Sequence, residues 1–144
     1  MKVLSIEQMT KLKELGVDTS KASMAIYNIY AGEEKEYDIL SSNGAFPEKQ
    51  EHDRFGYGIH NIVAFDKKTV FTLQDIIELL PKSILINSVK HWICVSPNCL
   101  LTEFQIMYVD GDDSYAVMKQ DKSLLQSAYE MLIWVIENGY LKTK

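Results

Sequence analysis

Apolar residues recur along this chain with two spacings, and each spacing specifies a kind of element. Over residues 123–138, Leu124, Leu125, Ala128, Met131, Leu132, Val135 and Ile136 fall on one broad side at the helical period, with Tyr129 at its edge. Gln126, Ser127, Glu130, Glu137 and Asn138 fall on the other side. Ser123 or Asp121 is placed to cap this helix, and Gly139 to end it in the left-handed conformation. The apolar side is too wide for a coiled-coil seam and suits a helix laid across a sheet. Trp134 breaks the pattern, projecting among Glu130, Glu137 and Ser127, with Ile133 at the boundary. A large aromatic there is covered either by this chain, through the N-terminal helix or the middle segment, or by a partner, because interface cores are rich in aromatics. Trp134, Ile133 and Glu130 are therefore the candidate interface.

The same periods organise the rest. A first helix starts at Ser5 and ends at Gly16, with Ile6, Met9, Leu12 and Leu15 as its apolar side. Residues 22–30 alternate as a strand, and residues 34–41 return as its hairpin partner across A-G-E-E. Residues 43–58 hold three glycines, Pro47 and a charged stretch, and are expected to form a surface loop. A short edge strand is expected at 59–65, with Asp66-Lys67-Lys68 as a turn. Thr72 caps a second helix with Asp75 three residues on, Leu73, Ile76, Ile77 and Leu80 line its apolar side, and Pro81 stops it. Strands follow at about 84–95, long enough to bend or break near Asn87-Ser88, then at 101–109 and 114–119. These elements predict one α+β domain over residues 1–144: two layers, with an antiparallel sheet of five or six strands packed by an N-terminal, a middle and a long C-terminal helix.

Composition narrows the function classes. The 144 residues carry a net charge of -5 and a single arginine, Arg54, which argues against a nucleic-acid surface built on bidentate phosphate contacts. No apolar run is long enough for a membrane span, and the N-terminus lacks the apolar core of a signal peptide. Cytoplasmic residence is the expectation, with Cys94 and Cys99 as thiols.

Candidate chemistry is sparse. Cys94, Cys99 and His91 have the wrong spacing for a zinc site and no evident fourth ligand. In a straight strand, positions 91 and 94 point to opposite faces, which separates His91 from Cys94. Asp110, Asp112 and Asp113 are turn residues without the distal glutamate of a calcium loop. Within E-H-D-R, His52 and Arg54, together with His60, are the candidate pocket residues, if the loop folds over the sheet. No phosphate-binding or nucleotide motif is present, and no cofactor is expected.

The segments F-T-L-Q-D-I-I-E-L-L-P (71–81), M-L-I-W-V-I-E-N-G-Y-L (131–141) and L-G-V-D-T-S-K-A-S-M (15–24) together resemble a group of small uncharacterised proteins of gut Bacteroidetes genomes and their mobile or phage-like regions. The resemblance covers nearly the whole chain, but its segments are helix cores and caps. It implies a bacterial, cytoplasmic protein and carries over no catalytic residue. Three functions are expected in this order: a non-catalytic interaction or accessory protein, with homodimerisation as one form; a small enzyme or ligand binder using residues 43–60; and a nucleic-acid accessory protein.

Overall fold

The helix ends follow from local chemistry. The computed structural model describes residues 1–30, 36–45 and 64–141. Helix α1 (Ile6–Glu14) begins with a reciprocal cap, Ser5 Oγ accepting from Gln8 N–H (3.1 Å) and Gln8 Oε1 from Ser5 N–H (2.9 Å). It ends where Gly16 takes φ +92° and Val17 N–H returns to the Leu12 carbonyl (3.0 Å), with both side chains buried. Helix α2 (Leu73–Leu79) carries the expected box between Thr72 and Asp75. The Asp75 carboxylate also accepts from Ser23 N–H (3.1 Å) and Ser23 Oγ (2.8 Å). Burial alone would raise this carboxyl; the hydrogen bonds from Thr72 and Ser23 outweigh it and hold it below its ordinary 3.8.

Strands β1 (Met24–Tyr30), β2 (Glu36–Ser42) and β3 (Ala64–Val70) form one antiparallel sheet in the order β2-β1-β3. Strands β4 (Ser83–Ile86), β5 (Val89–Pro97), β6 (Phe104–Val109) and β7 (Tyr115–Asp121) form a second, a simple meander. The expected single sheet of five or six strands is thus replaced by sheets of three and four. The physical reason is that alternation reports which face a residue takes, not which strand lies beside it. The chain leaves β3 through Phe71 and Thr72 into α2, and α2 carries it away before β4 begins. Asn87 (φ +50°) and Ser88 (φ +67°) turn β4 into β5, so the single strand expected at 84–95 is two strands joined by a two-residue hairpin at the point where a bend or break was expected.

Helix α3 (Leu124–Glu137) packs on β6 and β7 and against α2. Ala128, Met131, Leu132 and Val135 are fully buried against Ile106 and Tyr108, and the same cluster continues through Ile76, Leu12, Leu4 and Val70. A smaller cluster of Ala25, Tyr27 and Ile29, joined by Ile39, lies apart from it. Tyr108 donates its hydroxyl to the Pro81 carbonyl (2.7 Å), and burial pushes this phenol well above its usual 10.0.

Two local expectations are corrected. Asp66, Lys67 and Lys68 are not a turn; they lie within β3, opposite Asn28, Tyr27 and Ile26. Edge strands tolerate lysine, which discourages pairing with other chains, so a charged run can still be a strand. Ser127 is not on a polar side but fully buried, its Oγ donating to the Phe104 carbonyl (3.0 Å) and shared with that of Ser123 (3.3 Å). Back-bonding within the helix lets a serine sit inside it.

Candidate functional site

Antiparallel register places opposed residues on one face, and successive residues on alternate faces. In the four-stranded sheet, His91, Ile93, Ile106, Tyr108 and Val117 turn inward. The outer face therefore carries Trp92, Val109 and Tyr115 in one row across the sheet, with Cys94, Met107 and Met118 in the next. Leu85 and Lys90 stand together beyond the tryptophan row. Trp92 is 45% exposed, Tyr115 58% and Leu85 63%; Cys94, Met107, Val109 and Met118 are half-buried. An antiparallel sheet with one packed face ordinarily offers polar residues on the other. This face is instead apolar across two adjacent rows.

Its border is polar and ordered. Gln105 Nε2 donates to Gln120 Oε1 (2.8 Å), and Gln120 Nε2 to Glu103 Oε2 (2.8 Å). Lys90 Nζ sits 5.5 Å from the centre of the Trp92 ring, a cation resting on an aromatic face. Between Lys90 and Glu103 the two central rows hold no charge. A register shift next to Val109 puts an extra residue, Ala116, on β7, so Tyr115 stands opposite Val109.

The sequence-predicted candidates are distributed differently. Trp134 is half-buried and stacked on Tyr140, with ring centres 5.4 Å apart and planes at 20°. The cause is the helix end itself. Gly139 takes φ +77°, its N–H reaches the Ile136 carbonyl (3.1 Å), and Tyr140 N–H folds back to Val135 (2.9 Å), which brings the tyrosine ring over Trp134. Ile133 and Glu130 are also half-buried, and Glu130 accepts a hydrogen bond from Gln126 Nε2 (3.3 Å). His52, Arg54 and His60 lie outside the described residues. Of the expected loop at 43–58, residues 43–45 are described: Asn43 Nδ2 donates to the Ser20 (3.0 Å) and Ala22 (2.8 Å) carbonyls, and Gly44 N–H to the Tyr27 hydroxyl (2.6 Å).

His91 is buried on the inner face, its Nδ1 2.8 Å from the Val89 carbonyl, while Cys94 faces outward, as the strand argument required. Cys94 and Cys99 are free thiols. Asp110 is the turn residue expected, its Oδ1 accepting from Asp112 and Ser114 N–H. No group of three or more His, Cys, Asp or Glu among the described residues is arranged to hold a metal ion.

Two cavities adjoin α1. One, of about 270 Å³, lies between α1 and β3 and is lined by Lys13, Lys67, Lys68, Thr10, Thr19 and Thr69 over Ile6 and Met9. The other, of about 400 Å³, shares Ile6 and Lys68 with it and adds Ile26, Asn28, Asp38 and Asp66.

Sequence reasoning missed the outer sheet face and this cleft. A signal for the face was present: residues 92–95, Trp-Ile-Cys-Val, are apolar at both parities, the mark of a strand covered on both sides. The cleft left no local signal, because Lys13 lies more than fifty residues from Lys67 and Lys68 along the chain. No protein-family model, curated protein or solved structure matches this chain.

Proposed function

We propose that this chain is a non-catalytic interaction or accessory protein that works by pairing with a second copy of itself through the outer face of the four-stranded sheet. The carrying observation is the two-row apolar field around Trp92 and Tyr115 on a face that ordinarily meets water. Trp and Tyr flanked by a hydrogen-bonded polar border is the composition of a recognition surface, with aromatic anchors inside and polar groups at the rim.

Charge restricts where a second copy can dock. The chain carries -5 overall, so two copies repel through most of their surfaces. The central rows are uncharged, and a two-fold axis through them buries no like charges. Lys90 at one border and Glu103 at the other meet their opposites when two faces pack antiparallel.

Area sets the strength. Four strands at about 4.8 Å spacing and seven residues at about 3.3 Å rise span roughly 19 by 23 Å. Two such faces bury on the order of 900 Å², close to the lower bound of about 1,000 Å² for a specific interface. The dimer is accordingly concentration-dependent rather than permanent.

Trp134, Ile133 and Glu130 remain a secondary contact in this reading, since the Trp134 ring is already occupied on one side by Tyr140. A bacterial cytoplasmic setting accompanies the proposal, supported by the free thiols and the resemblance of the helix segments. No helix of the described residues is long and apolar enough to cross a membrane.

Light scattering coupled to size exclusion tests the reading. The mass is expected to rise toward twice 16.5 kDa as concentration increases, and to stay at 16.5 kDa throughout for Trp92→Asp. A wild-type protein that stays monomeric at high concentration, or a Trp92→Asp variant that still dimerises, sinks it.

A further inference from the structure

We infer that the cleft between α1 and β3 is a binding site for a small, compact anion of the phosphate or carboxylate class. The observation is a local reversal of sign. In a chain with 20 acidic and 15 basic residues, the described residues lining this cavity include three lysines and no carboxylate. Thr10, Thr19 and Thr69 add hydroxyls at the same walls, and Ile6 and Met9 form an apolar floor.

The fold builds this convergence from three separate stretches. Leu4 N–H bonds to the Phe71 carbonyl (2.9 Å), which ties the start of α1 to the end of β3 and sets Thr10 and Lys13 beside that strand, the outermost of its sheet among the described strands. Lys67 and Lys68 point to opposite faces of β3, so both can line a cavity only where it wraps an edge; β3 is an edge strand among those described. The turn after Gly16 brings Thr19 to the same place.

Size and sign limit the ligand. A volume of about 270 Å³ falls below the roughly 300–1,000 Å³ of drug-sized ligand pockets, which suits a compact ligand. The adjoining cavity carries Asp38 and Asp66, so the positive field stops at Lys68. A nucleic-acid backbone needs a positive track several phosphates long, and this one ends after a single cluster. A compact dianion meets the lysines and threonines without reaching the aspartates.

Pyrophosphate and citrate serve as probes of the two chemistries, with the full chain, in titration calorimetry at low salt. Saturable binding of either is expected at one site per chain, and the stronger of the two names the ligand class. Lys67→Gln/Lys68→Gln is expected to weaken it by roughly tenfold or more, the loss expected for charge-assisted contacts, whereas Lys122→Gln, at an exposed lysine outside the cleft, leaves it unchanged. Circular dichroism checks that the double variant folds; Lys13→Gln, on a different element, gives an independent loss if it does not. Absence of binding by both probes, equal binding by wild type and all cleft variants, or tighter binding of a single-stranded oligonucleotide through the same lysines overturns the inference. The outcome is independent of dimerisation, because the cleft lies on the three-stranded sheet.

Discussion

The two sheets of this protein treat their exposed sides in opposite ways. The three-stranded sheet presents Asn28, Asp38, Asp66 and Lys68 around its cavities, and Asn28 Nδ2 bonds Asp38 Oδ1 (3.2 Å). The four-stranded sheet presents Trp92, Tyr115, Met107 and Met118. On the three-stranded sheet these polar residues share the face through which Met24 and Ile26 join the core, whereas the apolar field of the four-stranded sheet lies on the face turned away from it. A charged face gains from solvent and keeps other chains away. An apolar face is at a disadvantage in water unless something covers it, and burial returns about 25 cal/mol for each Å² removed. On the functions proposed above, one sheet would serve small polar ligands and the other a protein surface.

The largest effect expected separates the two faces of one strand. Ile106→Ala removes a fully buried side chain from the inner face and should cost about 2–5 kcal/mol in urea unfolding. Met107→Ala, the next residue on the outer face, should cost less than about 1 kcal/mol at monomer concentrations. Equal losses would mean that the outer face is itself core. The two tryptophans sharpen the same contrast. Trp92→Asp should weaken association by about 2 kcal/mol or more, as at an interface anchor. Trp134→Asp should act on folding stability first, because that ring packs on Tyr140 and the core. Sedimentation and denaturation of both variants distinguish the roles, and reversed outcomes would relocate the interface to α3.

Smaller effects test the joint between β1 and α2. The Asp75 carboxyl is held below its ordinary value, so its contribution is complete above pH 3.8 and fades as pH falls through the lowered native value. Asp75→Asn should therefore cost about 1–2 kcal/mol at pH 7 and progressively less as the solution is acidified. A cost that is the same at pH 7 and pH 3 would assign the effect to packing instead. The smallest change expected is Gly139→Ala. At φ +77° a Cβ is strained although no atom lies within 4 Å of it, and the cost should be about 1 kcal/mol. Its tryptophan fluorescence should shift as Tyr140 loosens from Trp134; an unchanged spectrum would show that the stack stands without the glycine turn.

Helix boundaries were readable in the residues because caps are local chemistry. Ser5 with Gln8, Thr72 with Asp75, and Gly139 after Asn138 each act within a few positions. The stack of Tyr140 on Trp134 follows from the same short-range rule, which relates a residue just past the glycine to one in the last turn. The expectation that Trp134 needs cover from a distant segment overlooked that nearer partner. Asp66-Lys67-Lys68 misled for the opposite reason: turn-like composition yielded to pairing with β1, a partner about forty residues away.

By itself the sequence determined three capped helices, the hairpin of β1 and β2, an irregularity near Asn87-Ser88 and the meander that follows, since each depends on contacts within a few residues or one turn. Only the tertiary structure decided that the strands divide into sheets of three and four, that Ser127 faces inward, that Trp92 and Tyr115 meet on one open face, and that Lys13 joins Lys67 and Lys68. Those outcomes depend on which distant segments become neighbours, and periodicity along a chain reports the direction of a side chain without saying what will stand opposite it.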